Sequence, residues 1–277
     1  MIVYNRQTKE LEKEKEFGGK AVDFLYNRPL GRLLLNIVNR PFISWLASVY
    51  YKSAFSKNKI KDFIEKYEIN DSYRKYKNFN DFFIRECPYE KCADDEFPAL
   101  ADSRLLIKDV TDCFRIKKSV YDVSSLTGGK FSKEAFRGYK ALIFRLSMQD
   151  IHRHIYPDRG YNVLSYKIKG LLNSVRPVSE KYKVFHTNSR KVTLYRCRKL
   201  GKVLETEVGA LLVGRMVTHK RKHFEKFDER GYFEFGGSTI ILLVNPEKVR
   251  FDEDILSNSE QNIETIVKRG ERIGKIL

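Results

Sequence analysis

The chain has 277 residues, 42% of them hydrophobic and 13% aromatic, which is enough for a sizeable core and excludes a disordered tail. Its 53 Lys and Arg against 36 Asp and Glu give a formal net charge of +17, so an anionic partner is expected: a phospholipid surface, a nucleic acid or an acidic metabolite. Cys87, Cys92, Cys113 and Cys197 show no paired CxxC spacing and follow no signal peptide, which argues against a metal site or a secreted disulfide framework and points to a reducing, cytoplasmic setting.

The first hundred residues read as helical. Leu33, Leu34, Ile37 and Val38, then Phe42, Trp45, Leu46 and Val49, recur at spacings of three and four, and Pro41 breaks the pattern between them. Arg28, Arg32, Arg40, Lys52, Lys57, Lys59 and Lys61 fringe this stretch. An apolar face with a basic fringe suits the headgroup layer of a bilayer, or else an ordinary helical pair packed on the core. No run reaches the roughly 18 apolar residues a membrane span needs. Leu30 to Tyr51 comes nearest and is interrupted by Arg32, Asn36, Asn39, Arg40 and Pro41. Ile60 to Tyr67 and Phe79 to Arg85 continue the helical texture, so residues 1–97 form a helical, membrane-associating region.

After Pro98 the texture changes. Tyr139–Ser147, Tyr161–Lys169, Tyr182–His186, Lys191–Arg196, Lys202–Val208, Ala210–Val217 and Thr239–Val244 are short, rich in β-branched and aromatic residues, and separated by turn-forming sequence. Near the end, Ser257–Glu260 has the form of a capping box, and Ile263, Ile266 and Val267 suggest a short final helix. The fold class is therefore α+β: a helical layer, then a β-rich catalytic core over residues 98–277, built as antiparallel sheets or a barrel-like sandwich.

Three segments could carry chemistry. Gly236-Gly237-Ser238-Thr239 sits before the apolar run Ile240–Val244 and reads either as a bend or as bare backbone that the Ser238 hydroxyl could attack at the Gly237 carbonyl. His152 and His154 lie in Asp150-Ile151-His152-Arg153-His154-Ile155, where an extended backbone would put both imidazoles on one face. Asp102, in Ala101-Asp102-Ser103, could orient an imidazole or simply hold a turn.

Taken together these segments resemble the signature of the phosphatidylserine decarboxylase family: an aspartate in a Pro-x-Asp-Gly-like segment, an Asp-Tyr-His-Arg segment, and a motif ending in Gly-Ser-Thr or Gly-Ser-Ser. Phe79–Arg85, Lys169–Val175, Val208–Gly214 and Glu264–Gly274 resemble further family elements in the same order. The resemblance implies a proenzyme in which Ser238 attacks the Gly237 carbonyl, giving a β chain of residues 1–237 and an α chain that begins with a pyruvoyl group made from Ser238. It implies that this group forms a Schiff base with phosphatidylserine and releases phosphatidylethanolamine after decarboxylation. It further implies catalytic roles for Ser238, His152, Asp102 and His154, a homodimer, and peripheral attachment to the cytoplasmic face of an anionic phospholipid membrane. Two departures stand out: Ile155 occupies the place of the family's second histidine, and Ser103 that of a glycine. His152 is accordingly placed first for both proton steps and His154 second. The same fold acting on a soluble amino acid, an inactive copy, or a basic lipid- or nucleic-acid-binding module are the competing readings. The dispersed basic residues, without a recognised binding motif, speak against nucleic acid.

Overall fold

The computed structural model describes residues 1–14, 19–69, 76–116, 119–175, 177–211, 215–236 and 238–277. Gly237, one half of the expected cleavage site, and Leu212–Gly214 of the expected Ala210–Val217 strand lie outside them.

The helical reading of the first hundred residues does not extend to its start. The chain opens with a hairpin, β1 (Ile2–Asn5) and β2 (Glu10–Lys13). Then come α1 (Gly19–Asn27), α2 (Pro29–Val38), α3 (Pro41–Tyr51), α4 (Lys59–Tyr67) and α5 (Phe79–Phe83). Pro29 and Pro41 each sit in the first turn of a helix, where no backbone donor is lost, so the proline expected to break the pattern starts α3. The layer is anchored by α1 and α2: Tyr26 Oη accepts from the Ser174 backbone N–H at 2.8 Å, and the Asn39 carbonyl accepts from the Leu172 N–H at 2.8 Å.

The rest is dominated by one sheet, made of β1, β2, β3 (Ser103–Asp109), β4 (Lys140–Leu146), β5 (Gly160–Ile168), β6 (Arg190–Cys197), β7 (Gly201–Gly209), β8 (His223–Phe224), β9 (Ser238–Val244) and β10 (Glu264–Val267). Its strand order is β8-β5-β6-β7-β9-β4-β3-β10-β1-β2, open at both ends, so the antiparallel-sheet alternative is the one adopted rather than a barrel. Within it the β1–β10 pair is parallel and every other pairing antiparallel. The central strand β9 is buried along its whole length, because Ile240, Leu242 and Val244 enter one core while Ile241 and Leu243 enter a second on the opposite face. A third cluster, Ile60, Phe63, Phe79, Phe82 and Phe83 with Phe235, ties the helical layer to the glycine segment just before β9.

Two expected elements fold differently. Tyr182–His186 is not a strand: Val184–Thr187 forms a helical turn whose Val184 and Phe185 plug the second core. The expected final helix is displaced upstream to Glu253–Glu260, so that Ser257–Glu260 is its last turn rather than its cap. The β-branched run Thr265, Ile266 and Val267 becomes β10 instead, taken up between β1 and β3. From the expected Ala210–Val217 strand, the described part that pairs is Met216–Thr218.

Candidate active site

A small sheet over the main one carries the histidines. Arg153–Ile155 pairs with Glu229–Phe233, which pairs in turn with Met216–Thr218. His154 lies opposite Gly231, and the His152 carbonyl accepts from the Phe233 N–H at 2.9 Å. A Cβ at Gly231 would fall 2.1 Å from the Val217 carbonyl oxygen, so the three strands close up only around glycine. From Phe233 the chain runs through Glu234, Phe235 and Gly236 to Ser238, the first residue of β9. Gly236 has φ +132°, a conformation that side chains disfavour, and it turns the chain into the sheet.

Ser238, His152 and His154 are all completely buried. Ser238 pairs with Leu146 of β4 on one side and Gly209 of β7 on the other, and its Oγ has no hydrogen-bond partner among the described residues. Phe83 joins His152 to the glycine segment: its ring centroid is 4.2 Å from the His152 ring and 5.3 Å from that of Phe235. His152 Nδ1 donates to the Asp150 carbonyl at 2.9 Å, which leaves Nε2 as the lone-pair nitrogen, buried and without a partner among the described residues. Burial pushes the His152 imidazole down to about 4, and the guanidinium groups of Arg85 and Arg104 add to the fall, so the ring is neutral at physiological pH.

His154 sits in a polar nest that sequence reasoning missed. Glu205 and Glu207 alternate along β7 with Gly209, and since Gly209 is opposite Ser238, both carboxylates project on the same side of the sheet as the serine. His154 Nε2 is 3.4 Å from Glu207 Oε1 and 3.7 Å from Glu205 Oε1. Arg230 spans the two acids, with Nε donating to Glu205 at 2.6 Å and Nη2 to Glu207 at 3.2 Å. Tyr195 Oη donates to Glu205 at 3.0 Å. Burial raises the Glu207 carboxyl, but Arg230 and His154 outweigh it and hold the group down at about 2. The ligand atoms of His154, Glu205 and Glu207 lie within 4.8 Å of one another, close enough for a metal ion, yet the Arg230 guanidinium already occupies both carboxylates.

Asp102 is placed elsewhere. Its carboxylate accepts from the Arg269 N–H at 2.8 Å and faces Lys268 Nζ at 3.6 Å, and among the described residues no hydrogen bond or ion pair joins it to an imidazole. Its segment does run beside the histidine strand, because the Leu100 carbonyl accepts from the Ile155 N–H at 3.0 Å and Asp102 shares a cleft with Ile151. Ile155, at the departure from the family pattern, is buried, and the Ser103 hydroxyl donates to the Ala101 carbonyl at 3.1 Å.

Two of these groups make stability depend on acid. His152 takes up a proton near pH 6.5 when unfolded and near 4 when folded, and Glu207 near 4.5 unfolded and near 2 folded. In both windows the unfolded chain binds more protons, so stability falls as pH drops, first from about 6.5 to 4 and then from about 4.5 to 2. Urea midpoints of the uncleaved Ser238→Ala chain should decline between pH 7 and pH 4 by the equivalent of about 3 kcal/mol for His152 alone. His152→Gln should flatten that first decline, and an unchanged curve would remove His152 as its source.

Residues 79–275 match the sequence pattern of the family described as phosphatidylserine decarboxylase. The chain is 38% identical to a protein of Clostridium acetobutylicum named phosphatidylserine decarboxylase proenzyme 2, over 99% of this chain and 98% of that one. It is 35% identical to the phosphatidylserine decarboxylase proenzyme of Clostridium kluyveri, over 99% of each chain. To the protein of the same name from Clostridium perfringens it is 33% identical, over 98% of each.

Proposed function

The chain belongs to the phosphatidylserine decarboxylase family, and from that premise we propose that it is a proenzyme which cuts itself between Gly237 and Ser238. Cleavage yields a β chain, residues 1–237, and an α chain, residues 238–277, whose first residue becomes a pyruvoyl group. The observation that carries this reading is the Ser238 hydroxyl, buried, without a partner among the described residues, and set just beyond the turned Gly236. Burying an unbonded hydroxyl costs on the order of 1–3 kcal/mol, a strain that makes sense at a group kept for attack on the preceding carbonyl. His152 supports the same step: its neutral ring with a free Nε2 lone pair is the form that can take the serine proton. Asp102 enters through the family resemblance, supported by its place in the cleft beside Ile151, whose neighbour is His152.

Once formed, the ketone supplies an electrophile for the substrate amine and a sink for the electrons left when carbon dioxide departs, so that phosphatidylserine becomes phosphatidylethanolamine. The chain's part is to keep water out and to move protons. Ser238 projects on the core face that holds Leu146, Phe233 and Ile240, a dry setting in which charges act strongly. The intact mass of the purified protein tests the reading. Two chains divided at Gly237/Ser238, the smaller one blocked by a carbonyl, support it; active protein that remains a single uncut chain overturns it.

The membrane belongs to the same proposal, on the cytoplasmic face and without a spanning segment; among the described residues no helix is long and apolar enough to cross. Its support is an inversion of polarity in the helical layer. In α3 the inward residues are Ser44 and Ser48, whereas Phe42 and Trp45 are 62% and 57% exposed; in α2, Leu33 is 64% exposed. Exposed Arg28, Arg32, Arg40, Lys52 and Lys57 surround this apolar face, an arrangement suited to the headgroup boundary of an anionic leaflet. A homodimer is also part of the proposal and rests on the resemblance alone. Replacing Phe42 and Trp45 together by Glu should weaken binding to phosphatidylserine-containing vesicles by about 100-fold or more, taking each inserted ring as worth about 1.5–3 kcal/mol. Because both side chains are exposed, self-cleavage should continue, and vesicle binding equal to the parent's would remove this face from the membrane contact.

A further inference from the structure

The cleft that holds Asp102 has a volume of about 700 Å³ and lies between the segment 87–92 and the turn 268–272 that follows β10. Its walls are fixed against each other. A Cβ at Gly270, whose φ is +82°, would fall 2.3 Å from the Glu90 carbonyl oxygen and 2.5 Å from the Tyr89 ring, so the two segments meet directly, and the Cys92 N–H donates to the Gly270 carbonyl at 3.0 Å. Tyr89 is held at its far end too, its hydroxyl donating to the Phe227 carbonyl at 3.2 Å. Arg269 lies on that ring. Its guanidinium carbon is 4.1 Å from the ring centroid, its Nη2 donates to the Cys87 carbonyl at 2.7 Å, and the residue is 5% exposed.

What Arg269 lacks is a counter-ion. The acids of the cleft are matched elsewhere: Asp102 faces Lys268 Nζ at 3.6 Å, Glu96 faces Arg272 Nε at 3.6 Å, and Glu271 faces Arg6 Nη1 at 2.7 Å, while Glu90 and Lys91 are exposed and of opposite sign. Among the described residues no carboxylate forms an ion pair with Arg269, and its Nε is buried without a hydrogen-bond partner. A buried guanidinium is costly without an anion, and its stacked plane presents N–H donors in the fork that oxyanions match. We propose that this cleft is a phosphate-binding site anchored by Arg269, taking either the phosphodiester of a phospholipid headgroup or a free phosphate. Lys268, 53% exposed and only loosely paired with Asp102, supplies a second cation on the same wall. The site stands apart from the serine. Val267 is opposite Ser103 at the start of β3, and Ser238 is opposite Leu146 at the end of β4, so the cleft and Ser238 lie at the same end of the main sheet but three strands, roughly 14 Å, apart.

Nitrogen-15 spectra of the uncleaved Ser238→Ala chain give the test, with binding followed at the Arg269 Nε–H and the Gly270 amide. Inorganic phosphate is one probe, monomeric dihexanoyl phosphatidylglycerol the other, and acetate at the same concentration the carboxylate control. Expected is a saturable shift of both signals with at least one of the phosphate probes, and the probe that binds more tightly identifies the source as free phosphate or lipid headgroup. At the Gly270 amide the shift should vanish in Arg269→Met. In Arg269→Lys, which keeps the charge, loses the fork and guards against misfolding of the first variant, the Kd should rise about 10-fold or more. No shift with either phosphate probe, binding in Arg269→Lys equal to the parent's, or tighter binding of acetate overturns the site. The chain used neither splits nor decarboxylates, so failure of the site and failure of the functional reading are separate results.

Discussion

Ser238→Ala should leave a single chain of 32.6 kDa with no detectable decarboxylation, yet one that binds anionic vesicles as the parent does. The loss should be complete because the substitution removes both the nucleophile of maturation and the only atoms from which the pyruvoyl group could be made. The fold should not suffer. Oγ has no hydrogen-bond partner among the described residues, so its removal leaves no new orphaned group, and the methyl side chain joins Leu146 and Ile240 in an apolar surround. Burial of an unpaired hydroxyl is unfavourable, which makes the variant as stable as the uncleaved parent or more stable by up to about 1 kcal/mol. Thermal unfolding of Ser238→Ala therefore separates two explanations of lost activity. A clear drop in stability would mean that the serine is held for structure, and persistent cleavage would end the self-cleavage reading.

Local chemistry was legible in the sequence where it depends on consecutive residues. The Gly-Gly-Ser-Thr segment, the closely spaced histidines and the strands flanking them all declare themselves within a dozen positions. What escaped depends on partners far along the chain. Glu205 and Glu207 alternate with Leu204, Thr206 and Val208, a period-two pattern that ordinarily marks one solvated face. Here Arg153–Ile155 and Glu229–Phe233 cover that face and bring Arg230 and His154 onto the carboxylates, so a pattern of exposure belongs to a buried network. Only pairing between segments well separated along the chain reveals it.

The N-terminal hairpin shows the same limit. β1 and β2 are four residues each, of mixed polarity, and their partner β10 lies at the other end of the chain. Glu14, just beyond β2, forms ion pairs with Arg104 at 2.9 Å and Arg145 at 2.9 Å, and burial raises its carboxyl while these two arginines bring it down to about 2. Those contacts are absent from any local window. The periodicity of α2 and α3 was readable, but which stripe faces outward was not, since an apolar stripe points to the core or to lipid according to what it meets. Asp102 illustrates the converse: its motif could be recognised, whereas the Arg269 amide and Lys268 that hold its carboxylate come from the last ten residues of the chain.

Arg230→Met should be among the most destabilising single substitutions available to this protein. Arg230 is 1% exposed, and besides its two carboxylates it donates to Thr193 Oγ1 at 2.8 Å. Its removal strands the buried carboxylates of Glu205 and Glu207 without their guanidinium partner. Breaking a buried ion pair from one side costs about 3–5 kcal/mol, a large part of the roughly 5–15 kcal/mol by which folded domains exceed their unfolded states. The pH dependence fixes the cause. Arg230 is the main group that offsets burial at the Glu207 carboxyl, so without the guanidinium the penalty of a buried carboxylate is greatest at neutral pH and fades as the group protonates on acidification. Measured by urea unfolding on the Ser238→Ala background, the deficit of Arg230→Met should therefore be largest near pH 7 and shrink on acidification. Adding Glu205→Leu and Glu207→Leu should recover most of the stability, because a buried ion cluster is replaceable by packed apolar side chains. A deficit below about 1 kcal/mol at pH 7, or one that grows with acid, would show that Arg230 does not hold these carboxylates in their ionised state.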